Sequence, residues 1–163
     1  MKSILICDDE FDVVDMFSDE FETTFSNPTI LQAYGLEQAI ALSRPEVMKN
    51  NLGLVFTDGT LYRSGSLEKT GHGCDLKKAL RDIGYKGPIV YIGLSTPEKR
   101  INEFTRVIRK AELPEDEGKY EFGYKAMAKY AKTIFDMYEM RANENQLLPG
   151  IELETLLEEW YSF

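Results

Sequence analysis

Basic residues are in short supply in this chain: 19 Lys and Arg stand against 28 Asp and Glu, a net charge of −9 over 163 residues. Lys and Arg contacts to phosphate supply most non-specific affinity for nucleic acid, and no dense basic patch offsets the acidic balance, so nucleic acid is not an expected partner. Cysteine is equally scarce. Cys7 lies in an apolar run and Cys74 after a Gly-rich stretch, far apart, which argues against a disulfide framework or a zinc site and leaves reduced thiols. The one histidine, His72, sits between Gly71 and Gly73 with no second His or Cys to share a metal, and reads as an exposed loop residue. Long apolar runs are also missing. After Lys2 the first run is four residues long and stops at Asp8, too short for a signal peptide or a membrane span, so a cytoplasmic chain without membrane contact is expected.

What is present is enough to fold. Apolar residues make up 43% of the sequence, and the length fits one domain with little room for a separate output module. Ser3–Cys7 is a short continuous apolar run closed by Asp8-Asp9-Glu10, the pattern of a buried parallel strand. Val13, Met16, Phe17, Phe21 and Phe25 then recur at helical spacing until Asn27-Pro28. Thr29–Ala33 is a second strand, followed by a modest helix from Glu37 to Leu42 that is expected to end near Arg44-Pro45. Leu52–Thr57 is a third strand, again stopped by an acid, Asp58. The polar stretch Arg63–Gly73 holds three glycines and no periodicity, and reads as a long loop.

A third helix is expected over Asp75–Ile83 and a fourth strand over Ile89–Leu94. Pro97 would open a fourth helix with Ile101, Phe104, Val107 and Ile108 on one face. Tyr120–Tyr124 is a weaker aromatic strand, and Met127, Tyr130, Ile134, Met137 and Tyr138 mark a fifth helix. Alternation of this kind predicts an α/β fold, a parallel sheet covered on both faces through right-handed crossovers. Beyond Arg141 a polar segment and Pro149-Gly150 precede Leu153, Leu156, Leu157 and Trp160, an apolar stripe on a short acidic helix. The division is therefore residues 1–141 as the core domain and 142–163 as an amphipathic extension.

Open parallel sheets bind ligands beyond the carboxyl ends of their strands, where strand order reverses. Asp8, Asp9 and Asp58 fall at two such ends. If those strands are neighbours, three carboxylates converge, and a hard oxygen-liking ion such as Mg²⁺ is the natural occupant. Any one of these acids alone is explained as well by favouring a helix start or by solvation.

The arrangement resembles the receiver domain of two-component response regulators. The residues that carry the likeness are Ile4-Leu5-Ile6-Cys7-Asp8-Asp9-Glu10, Ala33-Tyr34-Gly35-Leu36-Glu37-Gln38-Ala39, Leu54-Val55-Phe56-Thr57-Asp58-Gly59, Gly73-Cys74-Asp75-Leu76 and Pro88-Ile89-Val90-Tyr91-Ile92, within a span of about residues 2–140. The resemblance implies a flavodoxin-like doubly wound sheet of five parallel strands in the order 2-1-3-4-5. It implies a phosphoacceptor at Asp58, with Asp8, Asp9, Asp58 and the Thr60 carbonyl around Mg²⁺. Receivers place a lysine near the end of the fifth strand, and Tyr124-Lys125-Ala126 matches, although Ala126 replaces the usual proline and Lys119 or Lys129 could serve instead.

The switch hydroxyl of the family falls at the end of the fourth strand. An ungapped count from Pro88 reaches Gly93, whereas a longer strand reaches Ser95, preferred because phosphate recognition needs a donor. Phe122 matches the aromatic switch position. The partners implied are a histidine kinase or phosphotransfer protein and a downstream protein target; a homodimer is left open. The competing expectation is a degenerate receiver that binds a partner without phosphorylation. An aspartate-nucleophile phosphatase of related topology would resemble Asp-x-Asp after the first strand, which Asp8-Asp9-Glu10 is not.

Overall fold

Three apolar runs, each buried on both faces, form the centre of a parallel sheet. The computed structural model describes residues 2–61, 71–93, 106–109, 128–129, 131–137 and 139. In chain order the elements are β1 (Ser3–Cys7), α1 (Phe11–Thr24), β2 (Thr29–Ala33), α2 (Leu36–Met48), β3 (Leu52–Asp58), β4 (Thr60–Leu61), β5 (Gly71–His72), α3 (Gly73–Asp82), β6 (Ile89–Gly93) and β7 (Arg106–Arg109). Residues 128–129, 131–137 and 139 are helical. The main sheet has five parallel strands in the order β2-β1-β3-β6-β7, and β4 and β5 pair separately as a small antiparallel ladder.

Strand alternation sorts the core into two layers. Ile4, Ile6, Leu54, Phe56, Val90 and Ile92 face α1 and the helical residues Ala128, Ala131, Ile134 and Phe135. Leu5, Cys7, Val55, Ile89 and Tyr91 face α2 and α3. The first layer is held by aromatic rings that meet largely edge to face: Phe56 lies 5.3 Å from Phe17 and 5.4 Å from Phe21, and Phe25 lies 5.6 Å from Phe135.

Gly53 sets how closely the helical residues around Phe135 approach. The β1–β3 register steps from Ser3↔Leu52 to Ile4↔Leu54, which leaves Gly53 as the extra residue of a bulge. A Cβ there would overlap the Phe135 ring and lie 2.8 Å from Lys2 Cβ. Gly53→Val should therefore lower stability by about 1–3 kcal/mol, the usual cost of overpacking, read as a shift in urea midpoint. A midpoint equal to that of the parent chain would contradict this packing.

The end of β1 opposite the acids is tied down by polar contacts. Ser3 Oγ donates to Glu46 at 2.5 Å, and Asn51 Nδ2 donates to the same Glu46 oxygen and to Ser3 Oγ at 3.1 Å. These hydrogen bonds, from Ser3 first and then Asn51, hold the Glu46 carboxyl below the usual carboxylate range, with Lys49 assisting.

Three expectations need correction. The second helix does not stop at Arg44-Pro45 but continues to Met48, because Ala41 and Pro45 are both exposed and water can serve the carbonyl that proline leaves without a donor. Gly71–His72, expected within a featureless loop, pairs with Thr60–Leu61. Val107 and Ile108, expected on a helix face, lie in β7 and pair with Tyr91 and Ile92. The β-branched pair suits a strand, and β7 supplies the neighbour that the outer edge of β6 requires. The fifth place in the sheet thus belongs to β7, while Tyr120–Tyr124, Leu94, the start of the expected fourth helix and the 142–163 extension lie outside the described residues.

Candidate functional site at the carboxyl end of the sheet

Neighbouring strands bring the acids together. The β1–β3 register sets Cys7 against Thr57, so Asp8, the next residue, comes level with Asp58, the last residue of β3. One carboxylate oxygen from each of Asp8, Asp9 and Asp58 falls within a group no more than 4.8 Å across. Asp8 and Asp58 are buried and Asp9 is half-buried. The order β2-β1-β3 reverses here, which makes this the switch-point crevice of a doubly wound sheet.

The backbone around the acids is shaped to hold them. Asp8 Oδ1 accepts the Glu10 N–H at 3.0 Å, turning the chain into α1, and the Asp8 N–H donates to the Ala33 carbonyl at 3.2 Å. Glu10 is at the N-cap of α1 without a side-chain capping bond. On β3, Thr57 Oγ1 donates to the Asp58 carbonyl at 3.0 Å.

After Asp58 the chain enters the β4–β5 ladder. The Gly73 N–H donates to the Gly59 carbonyl at 3.1 Å. Opposed residues in an antiparallel ladder alternate between hydrogen-bonded and non-bonded pairs, so Thr60 and His72 form a non-bonded pair and the Thr60 carbonyl is directed away from β5. Leu61, fully buried in the α2–α3 layer, anchors the ladder to the domain.

Two glycines make this close approach feasible. A Cβ on Gly73 would lie 2.7 Å from the Asp58 carbonyl oxygen, and one on Gly59 would lie 2.6 Å from Tyr91 Cζ. Tyr91, opposite Thr57 in β6, therefore covers the turn that follows Asp58. The sequence runs that carry the resemblance contain Tyr91, Gly59 and Gly73 but assign them no role of their own, since an aromatic residue in an apolar run gives only a core signal.

Cys7 lies beneath the carboxylates. Burial first, and then the charges of Asp8, Asp58 and Asp9, push its thiol well above the usual range, opposed by a hydrogen bond involving Thr57. Cys74 is buried as well. Because the thiolate is the reactive form, both should be alkylated at pH 8 at least about a hundredfold more slowly in the native protein than in urea. Reaction of either thiol at its denatured rate would contradict the placement.

Of the other residues singled out, Thr60 is described, whereas Ser95, Phe122 and Lys125 lie outside the described residues. Gly93 ends β6, immediately after Ile92, which pairs with Asp58. Among the described residues no helix is long and apolar enough to cross a membrane.

The site and the topology define a doubly wound α/β domain with an acidic crevice at its switch point. No family model matches the sequence, and no curated protein matches it. Solved structures do. A two-component transcriptional regulator, AraC, from Clostridium phytofermentans matches with a TM-score of 0.63 at 17% identity, covering 90% of this chain and 100% of that one. A CheY-like response regulator receiver domain protein from Methanospirillum hungatei matches with a TM-score of 0.60 at 17% identity, covering 86% and 98%. A chain of the CheX–CheY–BeF₃–Mg²⁺ complex from Borrelia burgdorferi matches with a TM-score of 0.57 at 16% identity, covering 81% of this chain and 88% of that one. The chain has the CheY-like receiver fold of response regulators.

Proposed function

We propose that this chain is a response-regulator receiver that accepts a phosphoryl group on Asp58 from a histidine kinase or phosphotransfer protein in the cytoplasm. The observation that carries the reading is the meeting of Asp8, Asp9 and Asp58 within 4.8 Å at the switch point of a receiver fold. The donor set is entirely oxygen, three of its members carboxylates, which fits Mg²⁺ better than a softer metal. Asp8, Asp9, Asp58 and the Thr60 carbonyl would hold the ion, and Mg²⁺ would offset charge on the phosphoryl oxygens in a loose transition state.

In the step itself an Asp58 carboxylate oxygen forms a bond to phosphorus as the phosphorus–nitrogen bond of a phosphohistidine breaks. The leaving imidazole keeps the electron pair and takes up a proton. A lysine at the end of the fifth strand would act as a point charge on the phosphoryl group. Lys125 has that role on the sequence resemblance. The pairing of β7 with β6 favours a second candidate, because β7 ends at Arg109 and Lys110 follows.

Signalling would pass through Ser95 and Phe122 to a downstream protein, with residues 1–141 as the receiver. The position of Gly93 directly after the Ile92–Asp58 pair supports one alternative, a degenerate receiver that lacks the switch hydroxyl and binds its partner without phosphorylation.

Intact-mass measurement after incubation with Mg²⁺ and acetyl phosphate tests the reading. The expected result is one added phosphoryl group that is absent when EDTA replaces Mg²⁺. Lys110→Ala and Lys125→Ala should differ, with uptake at least about tenfold slower only in the variant that removes the phosphate-facing cation. No adduct on folded, Mg²⁺-supplied protein would favour the degenerate receiver.

A further inference from the structure

The groups around the crevice are not all held by the same means. Asp8 directly follows β1 and Asp58 ends β3, so the ladders of the main sheet fix both. Thr60 lacks that support: β3 stops at Asp58, Gly59 makes the turn, and Thr60 opens a ladder only two residues long. A carbonyl there needs a neighbour to fix it, because a metal ligand left loose by a fraction of an ångström binds less tightly.

Tyr91 is placed to be that neighbour. It stands opposite Thr57 in β6 and is 6% exposed. A Cβ on Gly59 would overlap the Tyr91 hydroxyl and lie 2.6 Å from Cζ and 3.1 Å from Cε2, so the tip of the ring rests on the backbone of the turn. The same ring reaches the other side of the turn: a Cβ on Gly73 would lie 3.4 Å from Tyr91 Cδ2, and the Gly73 N–H donates to the Gly59 carbonyl at 3.1 Å. Neither glycine has a positive φ, so the backbone conformation does not ask for glycine at either place. Space does. The three atoms nearest a Cβ at position 59 all belong to Tyr91, which makes Gly59 and Tyr91 a matched pair.

We propose that Tyr91 is a positioning residue of the metal site: its ring tip, seated on Gly59, fixes the turn that aims the Thr60 carbonyl and so sets the affinity for Mg²⁺. This rests on the metal site of the proposed function and adds to it a residue that need not touch the ion. A buried ring in a close-packed layer cannot swing aside, and a shorter side chain would leave a gap into which the turn relaxes.

The Mg²⁺ dissociation constant of the full-length chain, read from the rise of its unfolding temperature with Mg²⁺ concentration, separates affinity from the stability measured in EDTA. Tyr91→Leu is expected to raise that constant about tenfold, the lower end for residues that orient metal ligands. Tyr91→Phe, which loses only the atom nearest Gly59, should raise it about threefold, and carries the same test if the leucine variant does not fold. Gly59→Ala is expected to weaken binding about tenfold in the parent but less than about twofold in the Tyr91→Leu background, where the atoms it meets are gone. Tyr85→Phe is the control: it removes a hydrogen bond of 2.9 Å to the Pro88 carbonyl at the opposite end of β6, and should lower stability in EDTA without changing the dissociation constant. Tyr91 variants that lose stability in EDTA but bind Mg²⁺ as the parent does would overturn the inference and leave the metal site standing. An equal loss of affinity in Tyr85→Phe would do the same. A parent chain that gains no stability from Mg²⁺ would overturn the metal site itself, and this inference with it.

Discussion

Asp58→Asn is expected to abolish phosphoryl uptake while making the Mg²⁺-free protein more stable. The first half follows from chemistry: the amide keeps the shape of the carboxylate but supplies no anionic oxygen to attack phosphorus. The second half follows from charge. Three carboxylates with oxygens within 4.8 Å repel one another, and each pair at such a separation costs between about 1 kcal/mol in water and 4 kcal/mol near a protein surface. Removing one charge relieves two of these pairs, so a net gain of about 1 kcal/mol in EDTA is expected after some loss of local hydrogen bonding. The ordering should reverse as Mg²⁺ is added, since an ion that binds only the native state stabilises it by mass action and the variant would lack one of the proposed ligands. Thermal unfolding with and without Mg²⁺ checks both. A variant less stable than the parent in EDTA, or one stabilised equally by Mg²⁺, would contradict the assignment of Asp58 to a metal site.

Phe56→Ala is expected to have the largest effect on stability, a loss of about 3–5 kcal/mol in urea unfolding. Phe56 is 2% exposed and its ring meets both Phe17 and Phe21 near the middle of the α1-facing layer. Truncation would leave a void bordered by two rings that α1 holds in place, so collapse around it is limited. The residue is also two positions before Asp58 on β3, and the loss should weaken Mg²⁺ binding through misplacement of that strand end. A cost below about 1.5 kcal/mol would mean that the aromatic layer repacks and is looser than these contacts indicate.

The central strands and the acidic crevice were legible because they announce themselves locally. Ile4-Leu5-Ile6-Cys7 and Leu54-Val55-Phe56-Thr57 are apolar on both faces, and each stops at an aspartate, which is the sequence pattern of a buried parallel strand opening onto a crevice. The fifth strand was not legible in the same way. Ile101, Phe104, Val107 and Ile108 satisfy helical spacing, yet Arg106–Arg109 is also a competent four-residue strand, and so short a run does not separate the two patterns. What decides is the open edge of β6, which is a tertiary demand.

The β4–β5 ladder was hidden for a related reason. Thr60–Leu61 and Gly71–His72 are two residues each and carry no alternation to detect, and their pairing is fixed by Leu61 in the core and by glycine at positions 59 and 73. The extension of α2 past Pro45 depends on that turn facing water.

The most direct test is to locate the phosphoryl group chemically. After reaction with Mg²⁺ and acetyl phosphate, borohydride reduces an acyl phosphate on aspartate to homoserine, and peptide mass spectrometry then reads the modified position. The account predicts homoserine at position 58 and at no other aspartate, with no conversion in EDTA. Conversion at another aspartate, or none in folded protein supplied with Mg²⁺, would contradict it.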